Sequence, residues 1–397
     1  ENCIRRIIRR KKALNCAIEE IPFSDVRDFF DEHLNCRYIE QNDQEVWQHV
    51  YHQRRKVGIF QFTAEGARNF CEDAKPTNIE ELGAITAIYR PGPLRANVHK
   101  KYIKDKADSS NVKYPHPVIE EILGPTFGHV TFQEQFMLLA QKLSGFSPGE
   151  SDKLRKTLVK KSLDANDAKE GERAVARRKF IQGAKELNGV PESVSTELWE
   201  RIEFFSAYGF NKSHAVAYAI DSYYAAWLHT YYETDWLATV LQSENNSPKG
   251  LTKAISEIKA MDYDIAPPDI NYSGFEWSWS DQRNAFVPPL TSIKGLGDKA
   301  VEEIVENRPY KSMSDLLFDD DGKWKHSKLN KTGFTSLCKI EALDSLDEFI
   351  DGSIRNHKQA FDIIVGNYNT LRKGQYGMSA RKAKKEDAPL ILPVLID

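Results

Sequence analysis

The stretch from Phe204 to Tyr232, FFSAYGFNKSHAVAYAIDSYYAAWLHTYY, constrains the chain more than any other. From Lys212 it runs about five turns without Gly or Pro, rich in Ala, Tyr and Trp, which predicts one uninterrupted helix. Tyr208, Gly209 and Phe210 read as a turn ahead of it, with Asn211 and Ser213 where a helix begins. At such a start the free backbone N–H groups and the helix dipole favour an anion. Lys212 and His214 stand beside them, so the expected ligand is phosphate-like. Tyr218 lies four residues beyond His214 on the same face, and Tyr224 and His229 are expected to extend an aromatic surface nearby. A basic, aromatic-lined helix start suits a nucleotide or a nucleic acid. The same pattern also suits a core helix whose Tyr hydroxyls and His ring are satisfied by neighbours, and this stretch alone leaves both readings open.

At 397 residues the chain has room for two or three domains with ample core. Hydrophobic content of 41%, charged content of 28% and a net charge of -3 describe a globular protein whose total charge does not point to nucleic acid. Local charge is more informative. The five cysteines, Cys3, Cys16, Cys36, Cys71 and Cys338, never form a Cys-x-x-Cys pair. That argues against a disulfide scaffold or a thiolate zinc site and for reduced, cytosolic thiols. No apolar run approaches the roughly 20 residues that cross a bilayer, and no signal peptide is visible. The chain starts at Glu1 rather than Met, so an upstream part removed by processing or fragmentation is expected.

Residues 1 to 12 hold Arg5, Arg6, Arg9, Arg10, Lys11 and Lys12 with Ile4, Ile7 and Ile8 at helical spacing. They predict a basic amphipathic helix with solvated arginines. GIFQF (58 to 62) is short and apolar, and Gln61 between two Phe residues is either a reader in a pocket or a satisfied core amide. In AIYRPGPLR (87 to 95), Pro91 and Pro93 flank Gly92, stop a helix and fix a turn that displays Arg90 and Arg95, a plausible phosphate clamp. TFQEQFMLLAQKLSGF (131 to 146) predicts an amphipathic helix that Gln133, Glu134 and Gln135 begin and Gly145 ends. ESDKLRKTLVKK (150 to 161) crowds Lys153, Arg155, Lys156, Lys160 and Lys161 on one helix, with Glu150 and Asp152 neutralising only its start. Repulsion such as that between Lys156 and Lys160 costs stability unless the face meets an anion. After the Asn245 to Pro248 linker, residues 266 to 290 alternate as strands do. TSIKGLGDKAVEEIVENR (291 to 308) then spaces Gly295 and Gly297 as in a helix-hairpin-helix turn, whose backbone N–H groups approach one DNA phosphate. Lys294 and Lys299 would reinforce that contact. Asp319, Asp320 and Asp321 read as a solvated turn, and the end of the chain as a basic, flexible tail.

In order, GIFQF, YRPGPL, TFGHVTFQEQ, LRKTLVKK, YGFNKSHAVAY, PPDIN and IKGLGDKAVEEI closely resemble the C-terminal half of the bacterial replicative DNA polymerase III alpha subunit, family C. The resemblance covers about residues 40 to 346 and implies a mainly α-helical fold: a fingers domain, then a small α+β module with the helix-hairpin-helix. The expected division is 1 to 57, a helical segment following a missing palm; 58 to 245, fingers; 246 to 350, duplex-binding module; and 351 to 397, tail. The resemblance implies that Arg155, Lys156, Lys160 and Lys161 bind the triphosphate together with Asn211, Lys212 and His214. Arg90, Gln61, Gln133 and Tyr218 would line the cleft and template path, while Lys294, Gly295, Gly297 and Lys299 would hold duplex DNA.

Val159 stands where the family usually has Gly, Thr63-Ala64 where it has Glu-Ser, and HQRRK (52 to 56) where it has a short Gly and Asp turn, as in a divergent, phage-encoded member. No Asp-x-Asp of the palm type appears in the right context. The resemblance therefore implies no catalytic or metal-binding residue here, with Mg²⁺ in the whole enzyme held by palm carboxylates outside this chain. Expected partners are primer-template DNA, deoxynucleoside triphosphates, a palm-containing polypeptide and a sliding clamp, although no clear clamp-binding peptide follows. No membrane is expected, and the place of work is the cytoplasm of a bacterium or phage-infected host. The alternative is a non-catalytic DNA-binding protein derived from a polymerase.

Overall fold

The computed structural model describes residues 1 to 373 except 15, 36–38, 40, 160–166, 207 and 208, with side chains also left out at 159, 167–170 and 206. Helices dominate. In chain order, those that frame the sites are α1 (Asn2–Lys11), α2 (Ile79–Ile88), α3 (Gln133–Leu138), α4 (Pro148–Val159), α5 (Asp167–Asn188), α6 (Glu192–Ser206), α7 (Lys212–Tyr231) and α8 (Glu233–Glu244). A three-stranded sheet in the order β1-β3-β2 follows, from β1 (Asp264–Ile265), β2 (Ser278–Ser280) and β3 (Ala285–Val287). The chain then adds α9 (Asp298–Glu306), α10 (Lys331–Lys339) and α11 (His357–Ile364). Two compact units result, one of Phe29–Tyr231 and one of Glu1–Asp28 with the residues from Tyr232 on. Among the described residues no helix is long and apolar enough to cross a membrane.

Within Phe29–Tyr231, α7 lies on α2. The contact uses small residues: a Cβ placed on Gly83 would stand 3.5 Å from the Ala215 backbone, so the two helix axes can come close. Further along α7, Ser222 and Tyr223 are buried, with Ser222 Oγ 2.9 Å from Tyr51 Oη and the Tyr223 ring 5.1 Å from Trp47. A second core joins α3 to α6 through Phe136, Leu139, Leu154, Leu158, Phe180 and Trp199. There α5 passes so near the backbone of Ser144 that a Cβ on Gly183 would lie 2.9 Å from the Ser144 carbonyl carbon. The contact is with backbone, which cannot swing aside as a side chain would.

In the other unit α1 forms where the basic run predicts it, but of its arginines only Arg10 is exposed, and all four are engaged by partners. Arg6 is buried, donates to the Trp277 carbonyl at 2.5 Å and pairs with Glu276 at 2.9 Å. Arg9 pairs with Glu276 at 3.3 Å and Arg10 with Asp235 at 2.6 Å, so charge here serves packing. At the mixed sheet Tyr263, Trp279 and Phe286 meet edge to face with ring centroids 5.0 to 5.5 Å apart. The flexible tail expected from 351 is corrected for its first part. Residues His357–Ile364 form α11, and Ile354, Ile363, Ile364 and Leu371 complete the core around α9 and α10. The basic run after Lys373 lies outside the described residues.

Gly183→Ala forces a methyl group into the Ser144 backbone and is expected to lower stability by about 1–3 kcal/mol. Urea unfolding with an unchanged midpoint would contradict this packing.

Candidate functional site

The start of α7 is fixed from several sides. Asn211 caps it, its side-chain oxygen accepting from the His214 N–H at 2.9 Å and the Ser213 hydroxyl at 2.6 Å. Phe210 forms a parallel bridge with Phe132, through Gln133 N–H to the Phe210 carbonyl at 2.9 Å and Phe210 N–H to the Thr131 carbonyl at 3.3 Å. That bridge sets the first residues of α3 against the start of α7. Glu134 then accepts from the Lys212 N–H at 2.8 Å, and the Gln133 amide donates to the Gly209 carbonyl at 2.9 Å. The helix start is therefore partly satisfied from within, by one amide and one carboxylate.

Helix α4 reaches the same place. Arg155 donates to the Gln133 side-chain oxygen at 3.4 Å and holds Asp152 through Nε at 3.0 Å and Nη2 at 2.8 Å. Lys156 pairs with the other Asp152 oxygen at 2.7 Å. Lys156 and then Arg155 keep the Asp152 carboxyl below its ordinary range, so it is ionised at neutral pH. Lys153 pairs with Glu172 at 3.4 Å, and the Glu150 carboxyl, bound first by Lys179 and then by the Ser147 N–H, is lowered to about 2. The surplus of positive charge expected on this helix is thus smaller than its sequence suggests. Lys160 and Lys161 lie outside the described residues.

From α7 a line of rings continues the strip. The Arg90 guanidinium lies 4.8 Å from the Phe210 ring centroid, Phe210 lies 5.2 Å from His214, His214 lies 4.0 Å from Tyr218, and Tyr218 lies 5.2 Å edge-on from Phe60. Gln61 follows Phe60 in a left-handed turn at φ 68 and is exposed, so it is not a satisfied core amide. The structure thereby gathers Arg90, Gln133, Arg155, Lys156, Asn211, Lys212, His214 and Tyr218 along one continuous network, with Gln61 at its end. The aromatic extension toward the far end of α7 does not hold. His229 is fully buried, and the Tyr224 ring packs on Phe30 at 5.3 Å. Sequence reading missed Phe60, Phe210 and Glu80, whose carboxylate pairs with the Lys212 ammonium. The run of Phe residues in GIFQF and YGF was the available signal for the first two, whereas nothing local marks Glu80.

In the other unit the 293–299 turn is built as its glycines require. Gly295 has φ +101, and a Cβ there would meet Ser336 Oγ at 2.9 Å and Thr332 Cγ2 at 3.0 Å. Ser336 in turn donates to the Lys294 carbonyl at 2.6 Å. Gly297 caps α9, and Lys294, Gly295, Gly297 and Lys299 are all exposed. On the same helix Glu303 accepts from the N–H groups of Ser327, Lys328 and Leu329 at 2.7 to 3.2 Å, which ties the start of α10 to α9. Burial opposes its ionisation, but those backbone donors prevail and bring the carboxyl to about 2. The Asp319 side chain accepts from the Asp321 and Lys323 N–H groups, an exposed turn as expected.

The family model for the bacterial DNA polymerase III alpha subunit finger domain matches residues 4–188, and that for a helix-hairpin-helix motif matches residues 262–349. The chain is 37% identical over 311 residues to the DNA polymerase III subunit alpha of Aquifex aeolicus, covering 78% of this chain and 26% of that protein. It is 34% identical over 346 residues to the subunit of Borreliella burgdorferi, with 86% and 29% covered. With the subunit of Pseudomonas aeruginosa it shares 31% over 337 residues, covering 84% and 28%. The chain thus spans about a quarter of the length of the curated relatives it matches. These relatives are bacterial and lend no support to a phage source.

Because the folded pKa of Glu303 is depressed, its stabilisation is complete above the ordinary Glu range and is lost as pH falls toward about 2. Glu303→Gln is expected to cost about 1.5–3 kcal/mol at pH 7. The gap from the parent should narrow below about pH 4.5. Urea unfolding at pH 7 and pH 3.5 measures it, and an equal gap at both would show that the charge is not what matters.

Proposed function

Because the chain belongs to the bacterial DNA polymerase III alpha subunit family, we propose that it supplies the fingers and the duplex-binding region of a replicative DNA-directed DNA polymerase. Residues 58–245 receive the incoming deoxynucleoside triphosphate and the template, and residues 246–350 hold the duplex. The observation that carries this reading is the convergence of five segments, distant in sequence, on the strip from Arg155 to Phe60.

In this reading Arg155, Lys156 and Lys212 take the triphosphate, joined by Lys160 and Lys161 on sequence grounds. Charge-assisted donors recognise phosphate oxygens strongly, and Arg155 brings a planar fork. Asn211 keeps the α7 start in shape, and His214 and Tyr218 offer ring faces toward the nucleoside. Arg90 and Gln61 stand at the template side. The Gly295 turn with Lys294 and Lys299 contacts duplex phosphates without reading sequence. None of these groups performs the chemistry. They bind and orient the triphosphate so that its α-phosphorus faces the primer hydroxyl.

The whole enzyme uses a divalent metal, for which Mg²⁺ suits phosphoryl transfer. The strip does not fit such an ion. Its carboxylates, Asp152, Glu80 and Glu134, are already engaged by Arg155 and Lys156, the Lys212 ammonium and the Lys212 N–H. In this reading the metal ligands are palm carboxylates that lie outside the strip, in a longer chain or a partner polypeptide. A sliding clamp and the bacterial cytoplasm complete the proposed setting.

Primer extension in the presence of a palm-containing polypeptide tests the assignment. Arg155→Ala is expected to lower kcat/KM for the incoming nucleotide about 10- to 100-fold, and Lys160→Ala should act in the same direction. Extension that survives both changes would remove the triphosphate assignment. Failure of every palm-containing partner to restore extension would favour a non-catalytic DNA-binding protein.

A further inference from the structure

The three described cations assigned to phosphate are each held by resident carboxylates. Asp152 accepts from Arg155 at 2.8 and 3.0 Å and from Lys156 at 2.7 Å, Glu80 pairs with the Lys212 ammonium, and Glu134 accepts from the Lys212 N–H at 2.8 Å. The groups form one line. Arg155 reaches Gln133, whose amide reaches the Gly209 carbonyl, three residues before Lys212. The Asp152 and Glu80 side chains are 38% and 37% exposed, so neither is sealed in a core and a ligand can reach both pairs.

We propose that Asp152 and Glu80, with Glu134, set the ligand selectivity of this strip by acting as tethered anions that a polyphosphate displaces and a monophosphate does not. The inference rests on reading the strip as a triphosphate site. A carboxylate one helical turn from its cation competes at high effective concentration. A monophosphate meets one such pair at a time and gains little from the exchange. A chain of phosphates carries enough charge to replace the carboxylates paired with the cations of α4 and α7 together, so its contacts add while the competitors act singly. The carboxylates lower affinity for every anion, and they lower it most for the short ones. They are positioning and selectivity residues, and none is assigned to the chemical step.

Calorimetric titration of the 397-residue chain with inorganic tripolyphosphate and with inorganic phosphate, at fixed ionic strength, tests this. Asp152→Asn is expected to tighten tripolyphosphate about fivefold and phosphate by more, so that the selectivity ratio falls. Glu80→Gln should move the ratio the same way through Lys212, and Asp152→Glu should restore it toward the parent value. An unchanged or rising ratio in both neutral variants would overturn the proposal. If Arg155→Ala weakens tripolyphosphate in that same series, the triphosphate site itself stands and only the selectivity role falls. If neither the parent nor any variant binds tripolyphosphate, both fall.

Discussion

The pairing of Phe210 with Phe132 is the constraint on which the strip depends. This single bridge brings the end of one loop against the start of α3, and each further contact follows from it. Gln133 can reach Gly209 and Glu134 can reach the Lys212 N–H because the two backbones run side by side there. Arg155 finds Gln133 in turn, so α4 is connected to α7 through one amide side chain. The close approach of α7 to α2 over Gly83 and Ala215 fixes the other side and sets Lys212 beside Glu80. Without the bridge, Arg155 and Lys212 would be two unrelated surface cations.

Electrostatics in both units follow one pattern. Basic residues are dense, yet the arginines of α1 and the described cations Lys153, Arg155 and Lys156 of α4 are met by carboxylates or carbonyls. A near-neutral total of -3 is the sum of such local matches. On α1 the matches are partly buried, where removing one partner leaves an uncompensated charge and is strongly destabilising. On α4 they are exposed, where an ion pair contributes about 0–1 kcal/mol and can be exchanged for a ligand. The same residue types therefore hold structure in one place and remain available in the other.

Much of this was legible in the sequence where the signal is local. The uninterrupted run after Lys212 gave α7, and the Gly295 spacing gave a turn whose positive φ only glycine adopts easily; the Pro-Gly-Pro segment leaves Arg90 exposed as expected, but as the N-cap of a short helix over Pro91–Arg95 and not as a turn. What escaped depends on partners far along the chain. Nothing near Arg6 announces the Trp277 carbonyl, and nothing near Lys212 announces Glu80. His229 shares the helical period of the aromatic residues that precede it, but packing against the residues around Trp47 buries that end. The segment after 351 carried a local signal that the sequence reading passed over: Phe361, Ile363, Ile364 and Val365 form an apolar run, and with Ile354, Tyr368 and Leu371 they join one core.

The central claim is that α4 and the start of α7 form one polyphosphate site. The most direct measurement is photo-crosslinking with a deoxynucleoside triphosphate that carries an azide on its γ-phosphate, followed by peptide mapping. The account predicts label within 148–159 and 204–218, removed by excess unlabelled tripolyphosphate. Label confined to the 293–299 turn, or label that tripolyphosphate leaves in place, would contradict it.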